Sequence, residues 1–177
     1  MALTTLVLLS ALSGHPASAV PRPKTVQMRG EVREVSGGKL GKSRAVLVAD
    51  DGEEYTMHGI DSETGEELTR LAGVKIDAFG LLNDPRLPRG RHVLVQRYQI
   101  VDVGKGVVPR TGVIASVDMG GTKRLLFVDD DGRADLLPEG WGKKMNRHVG
   151  ARIWMVGSGE GASFKPLRFS ILRGARK

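Results

Sequence analysis

Histidine, carboxylate and basic side chains supply nearly all the reactive chemistry in this sequence, because it contains no cysteine. Thiolate nucleophiles, thiolate metal sites and disulfide scaffolds are thereby excluded. Histidine occurs at His15, His58, His92 and His148. None of these falls in an HExxH or other short-range pair, so the spacing carries no zinc signature. A GxSxG nucleophile elbow is also missing. Carboxylates crowd together at Asp50-Asp51 and Asp129-Asp130-Asp131, but neither run has the ligand spacing of an EF-hand loop. Each run ends in glycine, Gly52 or Gly132, which predicts a tight hairpin turn instead. The segment from Gly37 to Ser43 (GGKLGKS) falls one residue short of the phosphate-loop spacing. It is expected to be a hairpin connection whose lysines can touch an anion. With no convergent catalytic set, the chain reads as a non-enzyme without a cofactor or bound metal.

The remaining chemistry is electrostatic. The chain carries a formal net charge of +7. Residues 20–104 are balanced, and the whole excess lies in 105–177, at Lys123, Arg124, Lys143, Lys144, Arg147, Arg152, Arg173, Arg176 and Lys177 among others. A basic field favours anionic partners: nucleic acid, acidic glycans, lipid headgroups or an acidic protein. A solvated face with a basic tail is the plain alternative. Trp154 follows Arg152 by two, and strand alternation places both opposite Ile153 and Met155. That predicts an outward tryptophan beside an arginine, suited to stacking, to protein contact or to filling a gap between two units. Lys143, Lys144, Arg147, Arg152 and Trp154 are therefore the candidate ligand-binding residues.

The elements that position them must be small. The chain has 177 residues, 40% hydrophobic and only 5% aromatic, with 24 glycines; this suits short strands and turns in one or two small domains. Residues 1–19 (MALTTLVLLSALSGHPASA) have an apolar stretch from Leu3 to Leu12 and a small-x-small site at Ala17-Ser18-Ala19. They are expected to be a signal peptide, making the mature protein exported, periplasmic or secreted. No second apolar run reaches spanning length.

The rest of the chain repeats itself. Arg29–Val35 followed by Val48–Gly52 echoes Thr111–Val117 followed by Val128–Gly132. Leu68–Gly80 echoes Met145–Gly157, and Arg97–Ile100 echoes Arg168–Ile171. Blocks recurring in one order mark an internal duplication, with 20–104 and 105–177 as the two domains and Asp102–Pro109 as the linker. In the first repeat, strands are expected at 26–35, 44–49 and 54–58, with a turn at Asp50-Asp51-Gly52. A helix is expected at 62–72, capped by Ser62 or Thr64 and stopped by Gly73. Strands at 74–80 and 92–101 complete the unit. In the second repeat, Pro138-Glu139-Gly140-Trp141-Gly142 leaves room only for a helix of about Lys143–His148.

Three strands, a helix and two strands is the element order of the OB-fold, a five-stranded Greek-key barrel. Both repeats resemble it, and they are similar to the small OB-like domains of exported bacterial envelope proteins. The motif carrying the resemblance is Leu71–Gly80 with its counterpart Val149–Gly157; a generic SH3-like barrel is the alternative. The resemblance implies a mainly β protein of two small barrels that binds through a face or groove. Single-strand binding would imply exposed aromatics on the second and third strands. Tyr55 and Phe127 occupy those places, and Phe127, within Leu125–Val128, is expected in the core. The expected function is binding or interaction, with the basic repeat facing an anionic ligand or envelope partner. A structural role in envelope assembly and nucleic-acid binding outside the cytoplasm are the alternatives.

Overall fold

The computed structural model describes residues 22–37 and 43–175. The expected signal peptide, His15, the centre of the GGKLGKS loop, Arg176 and Lys177 lie outside the described residues. The fold is mainly β and comprises two five-stranded sheets. The first contains β1 (Lys24–Val35), β2 (Arg44–Ala49), β3 (Glu54–Gly59), β4 (Lys75–Leu82) and β5 (His92–Asp102), with helix α1 (Ser62–Thr69) between β3 and β4. It closes into a barrel in the order β1-β2-β3-β5-β4, through antiparallel pairs and one parallel pair, β3 with β5. The second contains β6 (Arg110–Met119), β7 (Thr122–Asp129), β8 (Ala134–Leu136), β9 (Arg152–Ser158) and β10 (Lys165–Arg173). Its order is β10-β9-β6-β7-β8, and helix α2 (Glu139–Met145) lies between β8 and β9.

The repeat read from the sequence is visible in matching strand pairings. Gly30 pairs with both Ala49 and Ile76, as Gly112 pairs with both Asp129 and Ile153. At these bends a Cβ would lie 2.2 Å from the carbonyl oxygen of Val48 or Val128, so only glycine lets the first strand cross its neighbour this closely. The Asp50 and Asp130 amides donate to Arg29 and Thr111 carbonyls, each at 2.9 Å. Both Asp-Gly turns place glycine at positive φ, 85° for Gly52 and 83° for Gly132. Lys75 pairs with Asp50 at 2.8 Å, just as Arg152 pairs with Asp130 at 2.7 Å. The carboxylate runs are therefore committed to turns and ion pairs, and no group of three or more metal-ligating side chains forms among the described residues.

Differences from the expected elements are local. Helix α1 ends at Thr69 and is capped by Asp61, which accepts from the Thr64 amide at 2.7 Å; neither Ser62 nor Thr64 is the cap. Aspartate outcompetes them because its carboxylate also meets the positive end of the helix dipole. In the second unit α2 begins at Glu139, straight after Pro138, whose φ of −59° suits a helix entry. A 3-10 turn then covers Asn146–His148. The larger difference is closure. Strand β8 has only three residues, too few for the ladder to β10 that would mirror the β3–β5 pair. The turn at Gly161–Ser163 packs beside β8 instead, and the Gly161 amide donates to Asp135.

Two cores result. The barrel interior holds Val32, Leu47, Ile76, Val93, Val95 and Ile100, plugged by Leu68 of α1 and Leu71 just after it. The second sheet packs Ile114, Phe127, Ile153, Met155 and Phe164 against Met145 of α2. Trp154 and Leu172 belong to the first core, not the second. Strand β9 is therefore buried on both faces, and the predicted outward Trp154 is 6% exposed. It fills the seam between the units, where Arg168 lies over its ring at 5.2 Å and donates to the Val103 carbonyl.

Candidate functional site

Helix α2 forms because Trp141 and Met145, one turn apart, share an apolar face. Met145 is fully buried in the second core. Trp141 packs edge-on against Phe169 with centroids 5.8 Å apart, and His148 tilts onto the same ring at 6.1 Å. Lys143 and Lys144 of the helix, and Arg147 in the 3-10 turn that follows, are left exposed. The two lysines lie in the last turn, where the helix dipole favours cations. Between α2 and the start of β7 lies a depression of about 410 Å³, lined by Lys123, Leu125, Gly142, Lys143 and Asn146. The Lys144 ammonium sits 5.5 Å from the Trp141 ring centre. At Arg147 the guanidinium donates to His148 Nε2 at 3.1 Å; burial and this neighbouring charge lower the His148 pKa.

The five nominated residues therefore divide. Lys143 lines one groove with Lys123, while Lys144, beside the Trp141 ring, and Arg147, bonded to His148, are exposed on the same short stretch of chain. Arg152 and Trp154 do not join them. Arg152 pairs with Asp130 and lies 3.7 Å from Glu67 on α1, so it belongs to the seam with Trp154. Ion pairing sorts the basic residues the same way. Arg110, Arg124, Arg152 and Arg173 each have a carboxylate partner. Lys123, Lys143, Lys144 and Arg147 make no ion pair among the described residues, so their charge faces solvent uncompensated.

Three clusters escaped the sequence reading. At the seam, Tyr98 donates its hydroxyl proton to Glu67 at 2.6 Å, with Arg152 and Arg173 on either side. Burial, followed by the Glu67 carboxylate, pushes the Tyr98 pKa up. In the second unit Arg110 bridges Asp129 and the fully buried Asp135 between the rings of Phe127 and Phe164. All three charged groups are satisfied there, which marks the network as structural. In the first barrel His58 Nε2 and His92 Nδ1 stand 2.9 Å apart. These histidines are far apart in sequence, so spacing could not link them. Their positions at the end of one strand and the start of another were the available signal, once β3 and β5 are known to run parallel.

No family model, curated protein or solved structure matches this chain. The chemistry of these clusters thus carries the functional reading alone.

The histidine pair makes one expectation about pH. Burial first, then His92 and Arg44, lower the His58 pKa. A base with a depressed folded pKa gives stability that is present above its unfolded value of about 6.5 and lost as pH falls through the folded one. The melting temperature is therefore expected to drop as pH falls below about 6.5. His58→Gln should flatten that drop, leaving only the His148 share; an unchanged slope would refute this.

Proposed function

We propose that this protein is a non-enzymatic binder of an anionic polymer, working through the groove between α2 and β7 and acting outside the cytoplasm. The carrying observation is the run of exposed basic side chains on and after α2 that make no ion pair among the described residues, Lys143, Lys144 and Arg147, with Lys143 facing Lys123 across that groove. An unpaired basic rim attracts polyanions by releasing their counterions. Trp141, beside Lys144, is the aromatic best placed to meet a sugar or base. An OB-like reading of both units supports binding over catalysis: the first sheet has the 1-2-3-5-4 order with a parallel closing pair, and the second shares its pairings except that closure.

The test is binding of the chain to a labelled single-stranded oligonucleotide and to an acidic polysaccharide across a salt series. Replacing Lys143, Lys144 and Arg147 together with alanine should reduce the oligonucleotide salt slope by about 2, three contacts at roughly 0.7 each. Since all three are exposed, the melting temperature should hold. No binding by the parent chain at low salt, or an unchanged slope in the variant, would sink the proposal. A preference for one polymer identifies the ligand class, and Trp141→Leu then asks whether the ring contributes.

A further inference from the structure

We propose that His58 and His92 form a binding site for a divalent copper ion, held in cis positions of a tetragonal coordination sphere. The site is independent of the basic groove, since it lies on the first barrel. The parallel β3–β5 ladder creates it: Thr56 is opposite His92 and His58 opposite Leu94, so both histidines reach the same face two residues apart in register. Strand pairing fixes that separation more firmly than two loops would.

The hydrogen-bonded separation is compatible with cis ligation, and the affinity order of the divalent ions then names the metal. Imidazole nitrogens bind first-row divalent ions at about 2.0–2.1 Å. Two such ligands at right angles stand about 2.9 Å apart, whereas tetrahedral angles need roughly 3.3–3.4 Å. The observed separation of Nε2 and Nδ1 is 2.9 Å, with ring planes inclined at 35°. Right-angled nitrogen ligands suit copper or nickel, and copper binds most tightly of the divalent series. No third histidine or carboxylate completes a cluster among the described residues, so water fills the other positions. Room exists beside His58 in a depression of about 290 Å³, lined by Ser43, Thr56, Asp61 and Thr69 among others.

Proton balance permits binding near neutral pH. In the hydrogen-bonded pair one ring nitrogen donates and the other accepts. If His58 donates from Nε2, His92 already offers a lone pair at Nδ1. Copper then requires only that the His58 proton move from Nε2 to Nδ1, with no net release. Arg44 lines the same depression as His58, so its charge opposes a cation bound there.

Titration of the full chain with copper chloride, followed by calorimetry and electron paramagnetic resonance, tests this. The expected result is one saturable site whose spectrum carries nitrogen splittings from two imidazoles. Losing a supporting hydrogen bond to a metal ligand costs about 10–100-fold in affinity; losing a ligand outright in His58→Gln or His92→Gln should reach at least the upper figure. His148→Gln and His15→Gln should leave binding intact, and nickel and zinc should bind more weakly than copper. Arg44→Gln removes no ligand and should tighten binding, so the proposal stays testable if a histidine variant misfolds. Copper held with undiminished affinity by the His58→Gln/His92→Gln chain, or no saturable copper site in the parent, overturns it.

Discussion

Arg110→Ala is expected to destabilise the protein by about 3–5 kcal/mol, the usual cost of breaking a buried ion pair from one side. Arg110 donates to Asp129 at 2.6 Å and to Asp135 at shorter range, and Asp135 is 0% exposed. Without the guanidinium two carboxylates remain in a core built from Phe127 and Phe164. Asp135 stays fully buried, and the Arg133 and Gly161 amides that remain on the two carboxylates supply no charge. The cation also covers both rings, with its carbon 5.2 Å and 5.4 Å from their centres, so packing is lost as well. Urea denaturation at neutral pH measures the loss. Asp135→Leu combined with Arg110→Met should recover much of it, because an apolar replacement leaves less buried charge behind. A loss below about 1 kcal/mol for Arg110→Ala would show the network to be dispensable.

Trp154→Ala is expected to cost about 3–5 kcal/mol, the range for removing a buried large aromatic. This ring joins two units: it projects from β9 of the second sheet into the first core, beside Leu172. Its indole nitrogen is buried with no hydrogen-bond partner, so Trp154→Phe loses volume but also relieves an unpaired polar atom. That variant should therefore be much milder than alanine. Thermal melting and denaturant titration compare the two. The same pair of variants separates packing from ligand contact. If Trp154 were a stacking platform, alanine would weaken oligonucleotide binding and spare stability. The expected outcome is the reverse: lower stability, with binding per folded molecule unchanged.

How much of this was legible beforehand differs from element to element. The strands were readable because alternation and Asp-Gly turns are local signals. So was the burial of Phe127, which sits in an apolar run. Asp61 was overlooked as a cap because Ser62 and Thr64 offer the same chemistry one and three residues later. Charge alone put Lys143, Lys144 and Arg147 on the surface, whereas alternation set Trp154 opposite Ile153 and Met155 but left open whether it meets a ligand or fills the gap between the units. The period-two rule separates two faces of a strand; it does not say that both will be covered. Asp77, the equivalent residue in the first repeat, pairs with the exposed Arg29, whereas Trp154 meets another unit.

The sequence by itself determined the mainly β character, the duplicated units, the hairpin turns at both Asp-Gly sites and the excess positive charge of the second half. All of these depend on neighbours close along the chain, or on simple counting. Tertiary structure decided the rest. It closed the first sheet through the parallel β3–β5 pair, and with that pair brought His58 to His92. It left the second sheet without the same closure because β8 is short. It drew Arg152 and Arg173 towards Glu67 at the seam while leaving Lys143, Lys144 and Arg147 unpaired. The physical reason is shared: burial and charge pairing depend on which distant surfaces meet, and no local pattern encodes that meeting.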